Sequence, residues 1–192
     1  MKKLVLIILL LIFIVGCSKK EINIEEQTMS QNISQQIQEV EIMGNLKISS
    51  PAFENNQLMP AKYTCKGANV NPPLMIEGIP SEAKSLALIV DDPDAINGTF
   101  VHWVMWNIPV VSEIAENSVP SGAVQGKADF GDNRYQGPCP PSGTHRYFFK
   151  IYALDTILDL NKNSKKTDLE SAMKGHILDK AELVGLFKKS LI

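Results

Sequence analysis

Three apolar runs stand out beyond the first residues of the chain: KSLALIVDD (84–92), TFVHWVMWNIP (99–109) and THRYFFKIYALD (144–155). The first is almost continuously apolar, as expected of a strand buried in the middle of a sheet, and the other two also read as strands. Upstream, LKISSPAF (46–53) reads as a first strand. QLMPAKYTCKGANVNPPLMIEGIP (57–80) reads as short strands and turns interrupted by Pro60, Pro72, Pro73 and Pro80. Helical patterning is confined to the C-terminal part. There TDLESAMKGHI (167–177) opens with Thr167 followed three residues later by Glu170, a capping pattern, and LDKAELVGLFKK (178–189) is expected to continue the helix. Strong strands joined by long Pro/Gly-rich connections, with helix held back to the end, predict a mainly β fold, a β-sandwich with a few peripheral and C-terminal helices. There is no internal repeat, and one domain is expected over residues 46–192.

The residues before it have another pattern. Lys2 and Lys3 precede an apolar run from Leu4 to Val15, so residues 1–16 read as a signal sequence, too short for comfortable service as a permanent span of about 20 residues. Ile14-Val15-Gly16-Cys17 followed by Ser18, Lys19 and Lys20 is similar to a bacterial lipobox, in which Cys17 is lipidated and becomes the new N-terminus. A cleaved signal without lipid, or an uncleaved anchor, are the alternatives. Residues 17–45, polar and rich in Glu, Gln, Asn and Ser, read as a lipidated N-terminus and flexible tether. A short amphipathic helix docked on the domain is the other reading. The location that follows is extracytoplasmic and membrane-anchored.

Composition adds little to this, and the cysteines add more. A chain of 192 residues that is 44% hydrophobic and 21% charged can fill one sizeable core. The formal charge is −2, and removal of Lys2 and Lys3 leaves 17 basic against 21 acidic side chains, with no basic stripe to suggest nucleic acid. If Cys17 carries lipid, Cys65 and Cys139 are the two remaining thiols. Outside the cytosol such a pair tends to oxidise, and a Cys65–Cys139 disulfide would contribute on the order of 3–4 kcal/mol. Two free, half-buried thiols are the alternative.

The candidate chemistry lies in three polar stretches. DDPDA (91–95) follows the buried run, where a solvated turn is the plain interpretation. His102 lies within FVHWVMW, where alternation places Phe100, His102, Val104 and Trp106 on one face. In THRYFF, His145, Tyr147 and Phe149 share a face while Arg146 points the other way, towards a structural carboxylate. Taken singly, each has an ordinary structural explanation.

Together they carry a resemblance. DDPDA, VHWVMWNIP and GPCPPSGTHRYFFKIYALD, with YTCKGANVNPPL upstream and AMKGHIL and AELVGLF downstream, resemble the phosphatidylethanolamine-binding proteins. The likeness is to the prokaryotic branch known as YbhB/YbcL or Raf-kinase-inhibitor-like proteins, and it spans about residues 46–187. It implies a β-sandwich and an anion pocket formed by Asp92, Asp94, His102, Gly137, Pro138, Pro140, His145 and Tyr147. In that pocket Asp92 and Asp94 would fix and charge the imidazoles of His102 and His145, which would donate to phosphate-like oxygens. The Tyr147 hydroxyl and loop N–H groups would add donors. Cys139 and Ile96 depart from the usual pattern, at the pocket rim.

The resemblance therefore implies a binding module for phosphate or a phosphorylated head group, without a cofactor or metal. Its membrane contact would run through the N-terminal lipid. An inhibitor of a protease or kinase is the alternative, with a protease the more reachable protein partner for an exported protein. A hydrolase using the Asp/His pocket is the remaining class, disfavoured because no nucleophile is paired with a base and no metal-spacing motif occurs. The oligomeric state, a homodimer included, is left open.

Overall fold

The computed structural model of the protein describes residues 44–188. The signal sequence, Cys17 and the tether lie outside these residues. The chain order is β1 (Lys47–Ser49), β2 (Gln57–Leu58), β3 (Leu74–Glu77), β4 (Ser85–Asp92), β5 (Phe100–Ile108), β6 (Glu113–Ile114), β7 (Val124–Gln125), β8 (Thr144–Leu154), α1 (Lys166–Met173) and β9 (Ile177–Lys188). A single 3₁₀ turn, Ala61–Tyr63, follows β2.

The strands form two sheets. A small one has the order β1-β3-β6 and a large one β2-β9-β8-β4-β5-β7. All pairings are antiparallel except β2 with β9. β4 lies in the interior of the large sheet, and all eight of its residues are buried, which is why its sequence is apolar on both faces. Leu86, Leu88 and Val90 face the small sheet and pack with Ile48, Leu74, Ile76, Ile114, Phe149 and Ile151 in the main core. Ala87 and Ile89 face the other way, into a second core with Val104, Trp106, Leu158, Leu169 and Met173. Leu169 and Met173 are the buried face of α1, so the helix caps the outer face of the large sheet. The architecture is mainly β: a sandwich with a helix on its back.

The C-terminal segment departs from expectation. Residues 177–188 are not a continuation of the helix but the long strand β9, which pairs with β8 from Thr144↔Lys188 to Leu154↔Ile177. Its Ala, Glu, Lys and Leu content is helix-compatible, but non-local pairing overrides that weak preference. Gly185 fits this placement, since a Cβ there would lie 2.4 Å from Met59 Sδ. The helix itself begins at Lys166 rather than behind a Thr167 cap, and the Asp168 carboxylate accepts the Lys165 N–H at 2.8 Å.

At the end of β4 the chain turns its polar residues to opposite faces. Asp91, 0% exposed, follows the second-core face and takes Lys150 Nζ at 2.8 Å and Lys166 Nζ at 2.5 Å. Lys166 lies in the first turn of α1, so this buried carboxylate ties the helix to the sheet. Asp92 points to the main-core side. There the site begins.

Candidate functional site

Asp92 Oδ2 accepts the Nδ1–H of His145 at 2.7 Å, and both side chains are almost fully buried. Asp92 Oδ1 accepts the backbone N–H of Asp94 at 2.8 Å, so the turn after β4 holds the carboxylate in place. On β8, His145, Tyr147, Phe149 and Ile151 are buried in alternation while Arg146 is exposed, so His145 and Tyr147 look to the same side as Asp92. With Nδ1 committed to the carboxylate, His145 presents Nε2 to any ligand.

His102 arrives by a local irregularity. Val90 lies opposite Trp103 but Asp91 lies opposite Val101, leaving His102 as the extra residue of a β-bulge. Strict alternation would group His102 with Val104 and Trp106. Instead Val104 and Trp106 pack in the second core, while the His102 ring meets Tyr147 edge-on at 5.2 Å between centroids. The bulge therefore re-aims the imidazole at the site. Its Nδ1 donates to the Gln136 carbonyl at 2.6 Å, and the Gln136 N–H donates back to the His102 carbonyl at 3.2 Å. No carboxylate touches this ring. Burial holds the His102 pKa below the ordinary 6.5, against the pull of the Gln136 carbonyl and of Asp92, Asp91 and Asp129. The expectation that both imidazoles are paired with carboxylates thus holds only for His145.

The residues surround one cavity of about 510 Å³. Its wall is formed by Asp92, the 95–99 turn, Phe100, His102, Asp129, Phe130, the Cys139–Pro141 segment, His145 and Tyr147. The Tyr147 hydroxyl is buried beside the Asp92 carboxylate and the Cys139 backbone, without a well-formed hydrogen bond to either. Burial first, then the Asp92 carboxylate nearby, push its ionisation well above the usual tyrosine range, so it is a neutral donor. Phe100, Phe130 and His102 form an aromatic side wall, with Phe100 and Phe130 centroids 4.8 Å apart. Ile96 and Phe130, 79% and 46% exposed, flank the mouth. Among the described residues, the acidic ones in the wall are Asp92 and Asp129, and neither lysine nor arginine lines the cavity.

Of the residues drawn from the resemblance, Asp92, His102, Pro140, His145 and Tyr147 line this cavity, whereas Asp94, Gly137 and Pro138 stand behind it. Asp94 turns to Arg146, taking its Nε at 2.9 Å, its Nη2 at 2.6 Å and its backbone N–H at 2.9 Å. The hydrogen bond from that guanidinium draws the Asp94 carboxyl down to about 2. Its reach to Arg146, on the outward face of β8, carries it away from the imidazoles. Gly137 and Pro138 instead join the loop to the turn around residues 61–65. Gly137 N donates to Asn69 Oδ1 at 2.7 Å, and the Pro138 carbonyl accepts Cys65 N at 3.1 Å. A Cβ at Gly137 would come within 2.2 Å of the Tyr63 carbonyl, so only glycine permits this approach. Cys65 and Cys139 are joined by a disulfide, with Cα atoms 5.5 Å apart, which fixes the cavity wall next to Pro140.

Sequence reasoning set Ile96 and Cys139 at the rim and Phe100 on the face of His102, but missed Asp129, Phe130 and the 97–99 part of the turn. Phe130 and Asp129 lie in a segment without regular structure, where Asp129 accepts the Val101 N–H on its side-chain Oδ2 at 2.8 Å and donates its own N–H to the Val101 carbonyl at 3.0 Å. No periodic signal marks such residues.

Residues 49–188 match the family model for phosphatidylethanolamine-binding protein. The chain belongs to this family. Similar relatives include a UPF0098 protein of Pyrococcus horikoshii, 52% identical over 76% of this chain and 77% of the relative. A UPF0098 protein of Methanothermobacter thermautotrophicus is 49% identical over 75% of this chain and 99% of its own. Among solved structures, the phosphatidylethanolamine-binding protein homologue CT736 of Chlamydia trachomatis superimposes with a TM-score of 0.73 at 42% identity, covering 76% of this chain and 98% of that one. E. coli YbcL, described as a member of the mammalian PEBP family, gives 0.72 at 29% identity over 77% and 100%.

Proposed function

We propose that this family member is a membrane-tethered, extracytoplasmic binding protein whose cavity takes phosphate or a phosphorylated head group. The observation that carries the reading is the convergence of Asp92-oriented His145, His102 and the Tyr147 hydroxyl on one cavity. A buried polar atom without a partner is costly, about 1–3 kcal/mol, and a ligand oxygen would satisfy it. With its Nδ1–H held by Asp92, His145 in the imidazolium form donates from Nε2 to the anion, and the tyrosine donates beside it. Binding rather than turnover is favoured. Cys139, the cysteine of the cavity wall, is held in its disulfide, and the described residues contain no group of three or more His, Cys, Asp and Glu side chains placed to hold a metal.

Isothermal titration of inorganic phosphate, phosphoethanolamine and zinc into the purified protein tests the reading. Saturable binding of the phosphorylated species, lost in His145→Ala and weakened in Tyr147→Phe, supports it. Saturation by zinc alone would replace it. The tether rests on the Ile14–Cys17 pattern. Cys17→Ser is expected to abolish lipid processing and release the protein from membranes, as read by fractionation and mass of the mature chain. Unchanged processing and partition would remove the lipoprotein reading.

A further inference from the structure

We infer that the cavity selects a phosphate species that still carries a proton, whose P–OH donates to Nε2 of His102, over oxyanions of similar size that have none. This rests on the anion-pocket reading above and names its ligand class.

The two histidines are not equivalent. Each uses Nδ1 as a donor within the protein, but His145 donates to a carboxylate at 2.7 Å and His102 to a neutral carbonyl at 2.6 Å. A carbonyl oxygen accepts only, so the His102 proton must reside on Nδ1. In the neutral ring Nε2 is then an acceptor. The reciprocal bond from Gln136 N–H to the His102 carbonyl, at 3.2 Å, holds the two segments together and the ring in that orientation.

The groups facing His102 from every side keep it so. Tyr147 of β8 meets it as a neutral phenol, Phe100 and Phe130 cover it with apolar rings, and Asp92, Asp91 and Asp129 are the nearest carboxylates. Burial outweighs those carboxylates and leaves His102 neutral near physiological pH. Nε2 of His102 therefore stands as an acceptor beside the Tyr147 hydroxyl and the His145 imidazolium that binds the anion. Among the described residues the wall also carries two carboxylates and neither lysine nor arginine, so a less charged, protonated anion is accommodated better than a dianion without a proton.

The chemical consequence separates free phosphate from the phosphate of an intact lipid. Inorganic phosphate carries at least one proton around neutral pH. A phosphomonoester carries one below its second ionisation, at about pH 6. Sulfate and phosphodiesters carry none. Against such species Nε2 would face an oxygen lone pair, and rejection by an unpaired buried polar group is expected to be roughly ten- to hundredfold.

The test is competition calorimetry on the full chain with inorganic phosphate, sulfate and dimethyl phosphate. Dimethyl phosphate is a monoanion without a P–OH, and it fits within 510 Å³, so it separates the effect of the proton from that of charge. Near neutral pH, phosphate is expected to bind at least about tenfold more tightly than either competitor. As pH falls past the ordinary imidazole range and His102, held below it by burial, takes up a proton, Nε2 becomes a donor and the sulfate gap closes. Titration in buffers of different ionisation enthalpy then shows about one proton taken up per sulfate bound. His102→Gln, whose amide can donate, narrows the gap without acid. Equal affinity for phosphate and dimethyl phosphate at neutral pH, without proton uptake, would overturn the selection and leave the anion pocket intact. No binding of any oxyanion would overturn both.

Discussion

Replacing Asp92 by asparagine separates two accounts of the cavity by the sign of the effect. A uniform-field account treats Asp92 as a negative charge beside an anion. With the carboxylate 2.7 Å from Nδ1 and the ligand bound at Nε2 across the ring, the two charges would be about 6 Å apart. They would repel by roughly 3 kcal/mol at an effective dielectric near 20, and by under about 1 kcal/mol in bulk water. On that account Asp92→Asn tightens phosphate binding. The coupled account predicts the reverse. The carboxylate orients His145 and stands behind the imidazolium that an Nε2–H bond to the anion requires, so its removal turns a charge-assisted bond to the anion into a neutral one. The difference between those two kinds of bond is about 1–1.5 kcal/mol, close to tenfold in Kd. The single amide oxygen can keep the Nδ1–H bond while the Asp94 N–H loses its acceptor, a cost of about 1–2 kcal/mol that should leave the fold intact for calorimetry. A phosphate affinity equal to or greater than wild type in Asp92→Asn, in a variant with an unchanged unfolding transition, would refute the coupling.

Other consequences concern the surroundings of the site. Cys65→Ser with Cys139→Ser opens a link between residues 74 apart and is expected to lower the unfolding free energy by about 4 kcal/mol in urea titrations, with weakened phosphate binding because Cys139 is part of the wall. Lys166→Met leaves Asp91, 0% exposed, with Lys150 as its remaining cation. Removing one partner of this buried cluster should cost about 2–4 kcal/mol and raise hydrogen exchange across α1 first. Asp94→Asn removes a partly exposed ion pair, so it should cost under about 1 kcal/mol and leave phosphate affinity unchanged. Because Arg146 holds the folded Asp94 carboxyl at about 2 against an ordinary 3.8, its contribution is present above pH 3.8 and disappears as pH falls towards 2, which acid titration of the variant against wild type checks.

The parts of the molecule that could be read from sequence are those whose signal is local. β4 declares itself by an unbroken apolar run, and the face shared by His145 and Tyr147 follows from simple alternation on β8. The orientation of Arg146 away from the cavity follows from the same alternation. β9 was illegible because Ala181, Glu182, Leu183 and Val184 suit a helix equally well. Their strand state depends on eleven residues of β8 more than twenty positions upstream in the chain. His102 reached the site for a reason other than the one its sequence suggested. Alternation would have placed it with Trp106, and only a bulge set by the β4 register turns it towards Tyr147. Asp91 and Asp92 look alike as a dipeptide, yet the pleat sends one to a lysine cluster and the other to a histidine. Asp94 lies two residues farther on, beyond the strand, where the turn delivers it to Arg146 instead of to an imidazole.

The most direct measurement of the central claim is a crystal structure of the protein soaked in inorganic phosphate near neutral pH. The account predicts one tetrahedral density in the cavity within hydrogen-bond distance of His145 Nε2, His102 Nε2 and the Tyr147 hydroxyl, with the Asp92–His145 bond retained. Phosphate bound only at surface lysines, with the cavity holding water at saturating concentration, would contradict it.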